Sequence, residues 1–277
     1  MSLFVSSLNS GSNGNCYYVG NQDEAVLIDG GISCRETEKR MKRLGLSLKK
    51  VKAIFVTHEH GDHVHGVPAL SKKHKIPVYI TSDTLQFGNF EIQEQLVVPF
   101  HASHPVCIGG LTVTGFPKLH DASDPHSFIV SDGAVNVGVF TDIGSACENV
   151  TSHFRQCHAA FLEANYDESL LENGSYPYHL KLRIRGGKGH LSNTQALELF
   201  LAHRSPYMSH LFLSHLSQDN NRPKIVQDLF KKNAGGTEII IASRSRETRL
   251  YHIRNIVRPF RNFRGRAAEK EFQLALF

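Results

Sequence analysis

The stretch "THEHGDHVHG", residues 57 to 66, follows directly on the apolar run "VKAIFV". It places His58, His60, Asp62 and His63 together at what reads as the end of a buried strand. Few folds can use such an arrangement. On an extended backbone alternate side chains share a side, so His58 and His60 point the same way. Gly61 then lets the chain turn and aims Asp62 and His63 back at the same point. Imidazole suits Zn, Mn or Fe, and a carboxylate adds neutralising charge. Four such groups exceed what one catalytic ion can take while it keeps a position for water. The spacing points to two ions.

Around this cluster the chain alternates β-rich runs with helical patterns. "SLFVSSL", "CYYVG", "AVLIDGG", "PVYIT", "AAFLEAN", "HLFLSHLS" and "TEIIIAS" read as strands. "RETEKRMKRLGL", His63 to Lys75, "SNTQALELFLAH" and "RPKIVQDLFKK" read as helices, the third opening on a capping box of Ser192 and Gln195. "HSFIVSDGAVNVGVFTDIG" predicts a hairpin with Asp132 and Gly133 as left-handed turn residues. The pattern is continuous to about residue 243, which predicts a single α/β catalytic domain over residues 1–243. Residues 244–277 form a basic extension with nine Arg and Lys against three Glu. The preceding 243 residues carry 22 basic and 23 acidic side chains, so the net charge of +5 is a C-terminal feature. Five cysteines without a CxxC pair argue for a reducing compartment. No basic n-region opens the chain and no apolar stretch approaches membrane length, so a cytoplasmic protein is expected.

"THEHGDH" after an apolar strand resembles the signature of the metallo-β-lactamase superfamily. The resemblance implies a four-layer αβ/βα sandwich with a dinuclear metal site at one edge. "KLHDASDP" then offers His120, "VFTDIG" offers Asp142 at a strand end, and "LFLSHLSQDNN" offers His215. By that resemblance one ion takes His58, His60 and His120, the other takes Asp62, His63 and His215, and Asp142 is shared. Two carboxylates and five neutral imidazoles leave two divalent ions with two positive charges. A hydroxide held between the ions and one phosphodiester would neutralise them. The site fits phosphodiester hydrolysis, with Asp62 and His190 as the catalytic side chains. Zn, Mn and Fe all suit this ligand set.

His190, in "GGKGHLSNTQA", precedes a helix and resembles the catalytic histidine of the ribonuclease Z and phosphodiesterase branch. Diester cleavage expels an alkoxide, and a positioned imidazolium can protonate it as general acid. The loop "NSGSNGN", residues 9 to 15, offers backbone amides to phosphate, with Ser12 and Gly14 as candidate substrate contacts. Ser217 and Asn220 join them from "SHLSQDNN". His65 and His74 read as surface or packing residues, and nothing directs His126, His179 or His210 to the site.

Within the superfamily, the absent export signal argues against a secreted β-lactamase. The 73 residues from Asp142 to His215 are too few for the inserted domain of the RNA-processing endonucleases. The flavodiiron branch usually has Glu where His60 stands, and glyoxalases typically lack the "GHLSN" and "SHLSQDNN" segments. The chain is most similar to the YycJ/VicX (WalJ) type of bacterial metallohydrolase, through "SSLNSGSNGNCYYVG", "VTHEHGDHVHG", "HDASDP", "TDIG", "FLEANYD", "GHLSN" and "LSHLSQDNN". That family resembles a 5′-to-3′ double-strand DNA exonuclease of mismatch repair, which implies DNA as partner. An RNA nuclease, a small-molecule phosphodiesterase of the cyclic-nucleotide or phosphonate-pathway kind, and a regulatory module without turnover are the rival readings. "EANYD" departs from the "ESNHD" common in relatives and leaves the role of Glu163 to Asp167 open.

The end of the extension, "QLALF", resembles the pentapeptide that docks bacterial repair proteins on the DNA sliding clamp. In that mode Gln273 anchors by hydrogen bonds while Leu274, Leu276 and Phe277 fill an apolar pocket. Phe260 and Phe263 lie among basic residues suited to a phosphate backbone and to stacking on bases.

Overall fold

The computed structural model describes residues 2–255. The first sheet contains β1 (Ser2–Asn9), β2 (Cys16–Gly20), β3 (Ala25–Ile28), β4 (Val51–Phe55), β5 (Val78–Ile80) and β6 (Val97–Pro99). The second contains β7 (Val106–Ile108), β8 (Leu111–Pro117), β9 (His126–Ser131), β10 (Asn136–Phe140), β11 (Ala159–Glu163), β12 (His210–Ser214) and β13 (Glu238–Ile241). A last strand, β14 (Tyr251–Arg254), returns to the first sheet beside β1. Strand orders are β14-β1-β2-β3-β4-β5-β6 and β13-β12-β11-β10-β9-β8-β7. In each sheet one half is antiparallel and the other, from β3 to β6 or β10 to β13, is parallel.

Burial on both faces of the central strands makes the layers. Alternate residues of β3 divide between two cores: Val26 and Ile28 face the second sheet, Ala25 and Leu27 face outward onto helices. In β12, Phe212 enters the inter-sheet core while Leu211 and Leu213 pack outward. Helices α1 (Cys34–Arg43), α2 (Gly61–Val64), α3 (Val67–His74) and α4 (Ser82–Phe87) follow strands of the first sheet. Helices α5 (Glu148–Phe154), α6 (Glu168–Asn173), α7 (Tyr178–Arg185), α8 (Asn193–His203) and α9 (Pro223–Lys231) accompany the second. Met41 and Leu70 cover the outer face of the first sheet, and Val150, Phe200, Val226 and Phe230 that of the second. This is the expected αβ/βα sandwich.

Three local features differ from the sequence reading. The helix expected over His63 to Lys75 is two helices, α2 and α3, broken at Gly66. A Cβ there would lie 1.9 Å from the Ile32 carbonyl oxygen, and the Gly66 amide donates to Gly30. In the β9–β10 hairpin only Gly133 is left-handed, while Asp132 acts through its carboxylate, which accepts from the Ala134 and Val135 amides. Residues 244–254, within the stretch expected to be an extension, form β14 and the loop leading to it. Gln273, Leu274, Leu276 and Phe277 lie outside the described residues. Among the described residues no helix is long and apolar enough to cross a membrane.

Candidate active site

Several polar side chains stand at or just past the C-terminal ends of strands, along one rim of the sandwich. They are Asp29 after β3, His58 after β4, His120 after β8, Asp142 after β10, Glu163 on β11 and His215 after β12. The crevice beyond strand C-termini is where such sheets present functional groups. Asp29, Asp142 and His215 adopt left-handed backbone with φ of 63°, 54° and 55°. Asp and His accept that region better than most residues, yet each costs about 1–3 kcal/mol, so the surroundings must hold it. Gly31 permits another close approach. A Cβ there would fall 1.7 Å from the Asp62 carbonyl oxygen, so only glycine lets the loop after β3 pass the turn that carries Asp62.

All seven residues expected as ligands converge here. Donor atoms of His58, His60 and His120 lie within 4.8 Å of one another, as do those of Asp62, His63 and His215. Asp142 stands between the two groups. Its Oδ2 is 3.1 Å from His63 Nε2, and its Oδ1 is 3.5 Å from His215 Nε2 and 3.7 Å from His120 Nε2. His58, His63, His120, Asp142 and His215 are buried, while Asp62 and His60 are partly exposed.

The outer partners show which nitrogen faces inward. His63 Nδ1 is 2.7 Å from Asp29 Oδ2, and His58 Nδ1 is 2.9 Å from Thr57 Oγ1. His120 Nδ1 is 3.1 Å from the Gly189 carbonyl oxygen, and His215 Nδ1 is 3.1 Å from Glu163 Oε1. Each Nδ1 is tethered, so each Nε2 is turned to the basin, as metal-ligating histidines are held. His120 Nε2 is buried without a hydrogen bond. A buried acceptor left unmade is costly, and a divalent cation would use it. The residues fit a metal.

Charge alternates among the side chains of the basin. Burial disfavours charge on His63 and His215, but Asp142 and its neighbours outweigh it, raising His63 well above its usual value and His215 to about 10. Burial would raise Asp62 and Asp142, yet facing imidazoles hold both below the usual carboxylate range. His58 is pushed well down, and His120 to about 4, chiefly by burial. Lys118 is buried, donates to the Thr141 carbonyl at 2.7 Å and is lowered by burial.

His190 sits at the basin's edge, partly exposed, its ring 5.3 Å from those of His120 and His215. Its Nδ1 lies 2.7 Å from Glu163 Oε1. Glu163 is fully buried, and its Oε2 accepts from the Ile143 and Leu191 amides at 2.7 and 3.2 Å. The capping box of Ser192 and Gln195 begins α8 two residues later and fixes the chain there.

The four candidate substrate residues are placed less directly. Ser12 is exposed at the loop tip and Gly14 is buried in its turn. From that loop it is Asn15 that reaches the basin, its Nδ2 3.1 Å from Asp62 Oδ2 and 3.0 Å from His63 Nε2. Ser217 and Asn220 shape the turn after His215, where the Asn220 amide donates to Ser217 Oγ. His126 is buried against Phe100, His179 is exposed on α7, and His210 starts β12 at the opposite end of that strand from His215. His65 lies between α2 and α3, and His74 pairs with Glu38. Asp29, Asn15, Asn165 and Lys118 escaped the sequence reading. Asp29 alone carried a signal, as an acidic residue ending an apolar strand.

The sequence pattern of the "Metallo-beta-lactamase superfamily" matches residues 10–180. Over 232 residues the chain is 31% identical to "Exodeoxyribonuclease YycJ" of Bacillus anthracis, covering 82% of this chain and 87% of that one. It is 28% identical to "Exodeoxyribonuclease WalJ" of Streptococcus pneumoniae, covering 78% and 82%. The metallo-beta-lactamase fold protein YhfI from Bacillus subtilis superposes with a TM-score of 0.69 at 15% identity, covering 90% of this chain and 99% of that one. A diphosphatase of the PhnP family gives 0.62 at 18% identity, covering 91% and 98%. The strand-end ligand basin, the sandwich that builds it and these matches agree: the chain belongs to the metallo-beta-lactamase superfamily.

Proposed function

We propose that this protein is a metal-dependent phosphodiester hydrolase that degrades DNA from a 5′ end, in the cytoplasm and in the service of DNA repair. The carrying observation is the pair of three-residue donor groups with Asp142 facing both. Its relatives named exodeoxyribonuclease support DNA as the substrate. His58, His60 and His120 would hold one divalent ion, Asp62, His63 and His215 a second, and Asp142 would serve both. Zn, Mn and Fe suit the set. When bound, two such ions supply an activated water and positive charge for a phosphodiester.

The chain's own groups do the rest. Asp29, Thr57, Gly189 and Glu163 fix four of the five imidazoles, those of His63, His58, His120 and His215, by their Nδ1 atoms. His190 is the general acid, giving a proton to the departing alkoxide. Glu163 accepts at His190 Nδ1 and leaves the other ring nitrogen for the leaving group. Asn15 steadies Asp62 on the opposite wall. Beyond residue 255, the QLALF segment would tether the enzyme to the sliding clamp, a reading that rests on sequence alone.

Turnover of end-labelled DNA and RNA duplexes across a panel of divalent metals tests the substrate. Metal-dependent release of nucleotides from the 5′ end of DNA is expected. Hydrolysis of bis(p-nitrophenyl) phosphate with neither polymer cleaved would turn the assignment to a small-molecule phosphodiesterase.

A further inference from the structure

A cavity of about 760 Å³ opens next to the ligand basin, past the ends of β12 and β13 and under the loop that leads into β14. It shares a wall with the basin. Ser10 lines it and accepts the His215 amide at 2.7 Å, and Leu216 and Ser217 continue the wall from His215.

The lining has two characters. Leu216, Ile240 and Tyr251 are apolar or aromatic, whereas Arg222, Arg244, Arg246 and Arg249 bring four guanidinium groups. Glu247, in the same wall, is taken by Arg43 through two contacts of 2.6 Å. Arg249 is paired with Glu238. Arg222 spends its Nη1 on the carbonyls of Gln218, Asp219 and Asn221. Among the described residues, no ion pair engages Arg244 or Arg246. Arg244 is the informative one: its Nη1 is buried and makes no hydrogen bond among the described residues. The residue is held in place, since Asn13 donates to its carbonyl at 2.8 Å and its Cβ would lie 3.3 Å from any Cβ at Gly11. Arg244 is partly exposed at the cavity, and a guanidinium with no carboxylate partner there favours an anion, phosphate matching its planar fork.

We infer that this cavity receives the nucleotide adjoining the scissile phosphodiester, with its phosphate on Arg244 and its base and sugar against the apolar wall. The volume suits a group of that size. A bare phosphate would not use Leu216, Ile240 or Tyr251, and an uncharged ligand would not use the guanidiniums of Arg244 and Arg246. The inference rests on the nuclease reading and deepens it: the strand is gripped one nucleotide from the cut.

Duplex DNA and bis(p-nitrophenyl) phosphate separate the two ideas, because the small diester has no adjoining nucleotide. Arg244→Ala should lower kcat/KM on DNA at least tenfold more than on the small diester, mainly through KM. Arg246→Ala, at an exposed position that will not disturb folding, should act in the same direction and more weakly. Thymidine 5′-monophosphate should inhibit small-diester hydrolysis by the wild type and lose at least tenfold in potency with Arg244→Ala. Equal effects on both substrates, or none on either, would overturn the pocket while leaving the nuclease standing. A wild type that cleaves the small diester and no nucleic acid overturns both.

Discussion

Glu163 Oε1 lies 2.7 Å from His190 Nδ1 and shares itself with His215 Nδ1 at 3.1 Å, so one buried carboxylate orients the candidate general acid and a candidate ligand. His190 is not among the expected ligands, and its role is tested by the leaving group. His190→Ala should leave the metal content unchanged while kcat on DNA falls about a hundredfold or more. Bis(p-nitrophenyl) phosphate expels an anion that needs no proton, so its hydrolysis should fall far less. Loss of a metal in this variant, or equal losses on both substrates, would remove His190 from that role.

Asp29 is a positioning residue. It is fully buried, bonds His63 Nδ1 and accepts from the Thr57 amide and hydroxyl at 2.8 and 2.9 Å. Asp29→Asn should weaken metal affinity about 10–100-fold. Chelator competition should show one ion loosened more than the other, since His58, His60 and His120 do not depend on Asp29 directly.

Metal uptake should release protons. In the metal-free basin His63 and His215 are raised, the latter to about 10, so both carry protons at neutral pH, whereas ligation needs neutral rings. Calorimetry in buffers of different ionisation enthalpy should report protons leaving, with affinity rising as pH rises. For metal-free stability the sign is opposite. A raised pKa contributes fully below the unfolded value of 6.5 and is lost as pH climbs through about 10. The metal-free midpoint of thermal unfolding should therefore fall more steeply from pH 7 to 10 than that of the loaded protein.

Phe161 ties the two sheets together. It is fully buried, 4.5 Å from the ring of Phe212 in its own sheet and 4.8 Å from Tyr17 across the core. Phe161→Ala should cost about 3–5 kcal/mol by leaving a cavity at that junction. Denaturant unfolding measures it, as a lower midpoint with an unchanged slope.

The clamp role proposed for QLALF is tested separately. A peptide of residues 264–277 should bind the DNA sliding clamp with a micromolar Kd, about −8 kcal/mol. Deleting residues 273–277 should abolish that binding and leave hydrolysis of free DNA unchanged.

The first candidate ligands were legible in the sequence because histidine and aspartate at the end of an apolar strand are rare without a chemical reason. His58 carries that mark, as do Asp142 and His215, whereas His120 was placed by the family resemblance. The α/β class was legible because strands buried on both faces read as continuous apolar runs, as in "AVLI" and "HLFLS", while the four layers came with the family resemblance. Asp29 was harder, since an aspartate before two glycines also reads as an ordinary turn. Asn15 and Asn165 left no trace, because an amide's partner is set by the fold: Asn165 meets His215 across 50 positions. The break at Gly66 was hidden for the same reason, its cause being the backbone at Gly30 and Ile32. Glu163 is the clearest loss: it sits in a strand pattern and acquires meaning only when His190 and His215 arrive beside it.

Elemental analysis of the purified protein, paired with its activity on duplex DNA, tests the central claim most directly. Close to two divalent ions per chain are predicted for the wild type, and Asp142→Ala should abolish hydrolysis because Asp142 faces both donor groups. A single ion per chain in a fully active enzyme, or an active Asp142→Ala, would contradict the two-metal site.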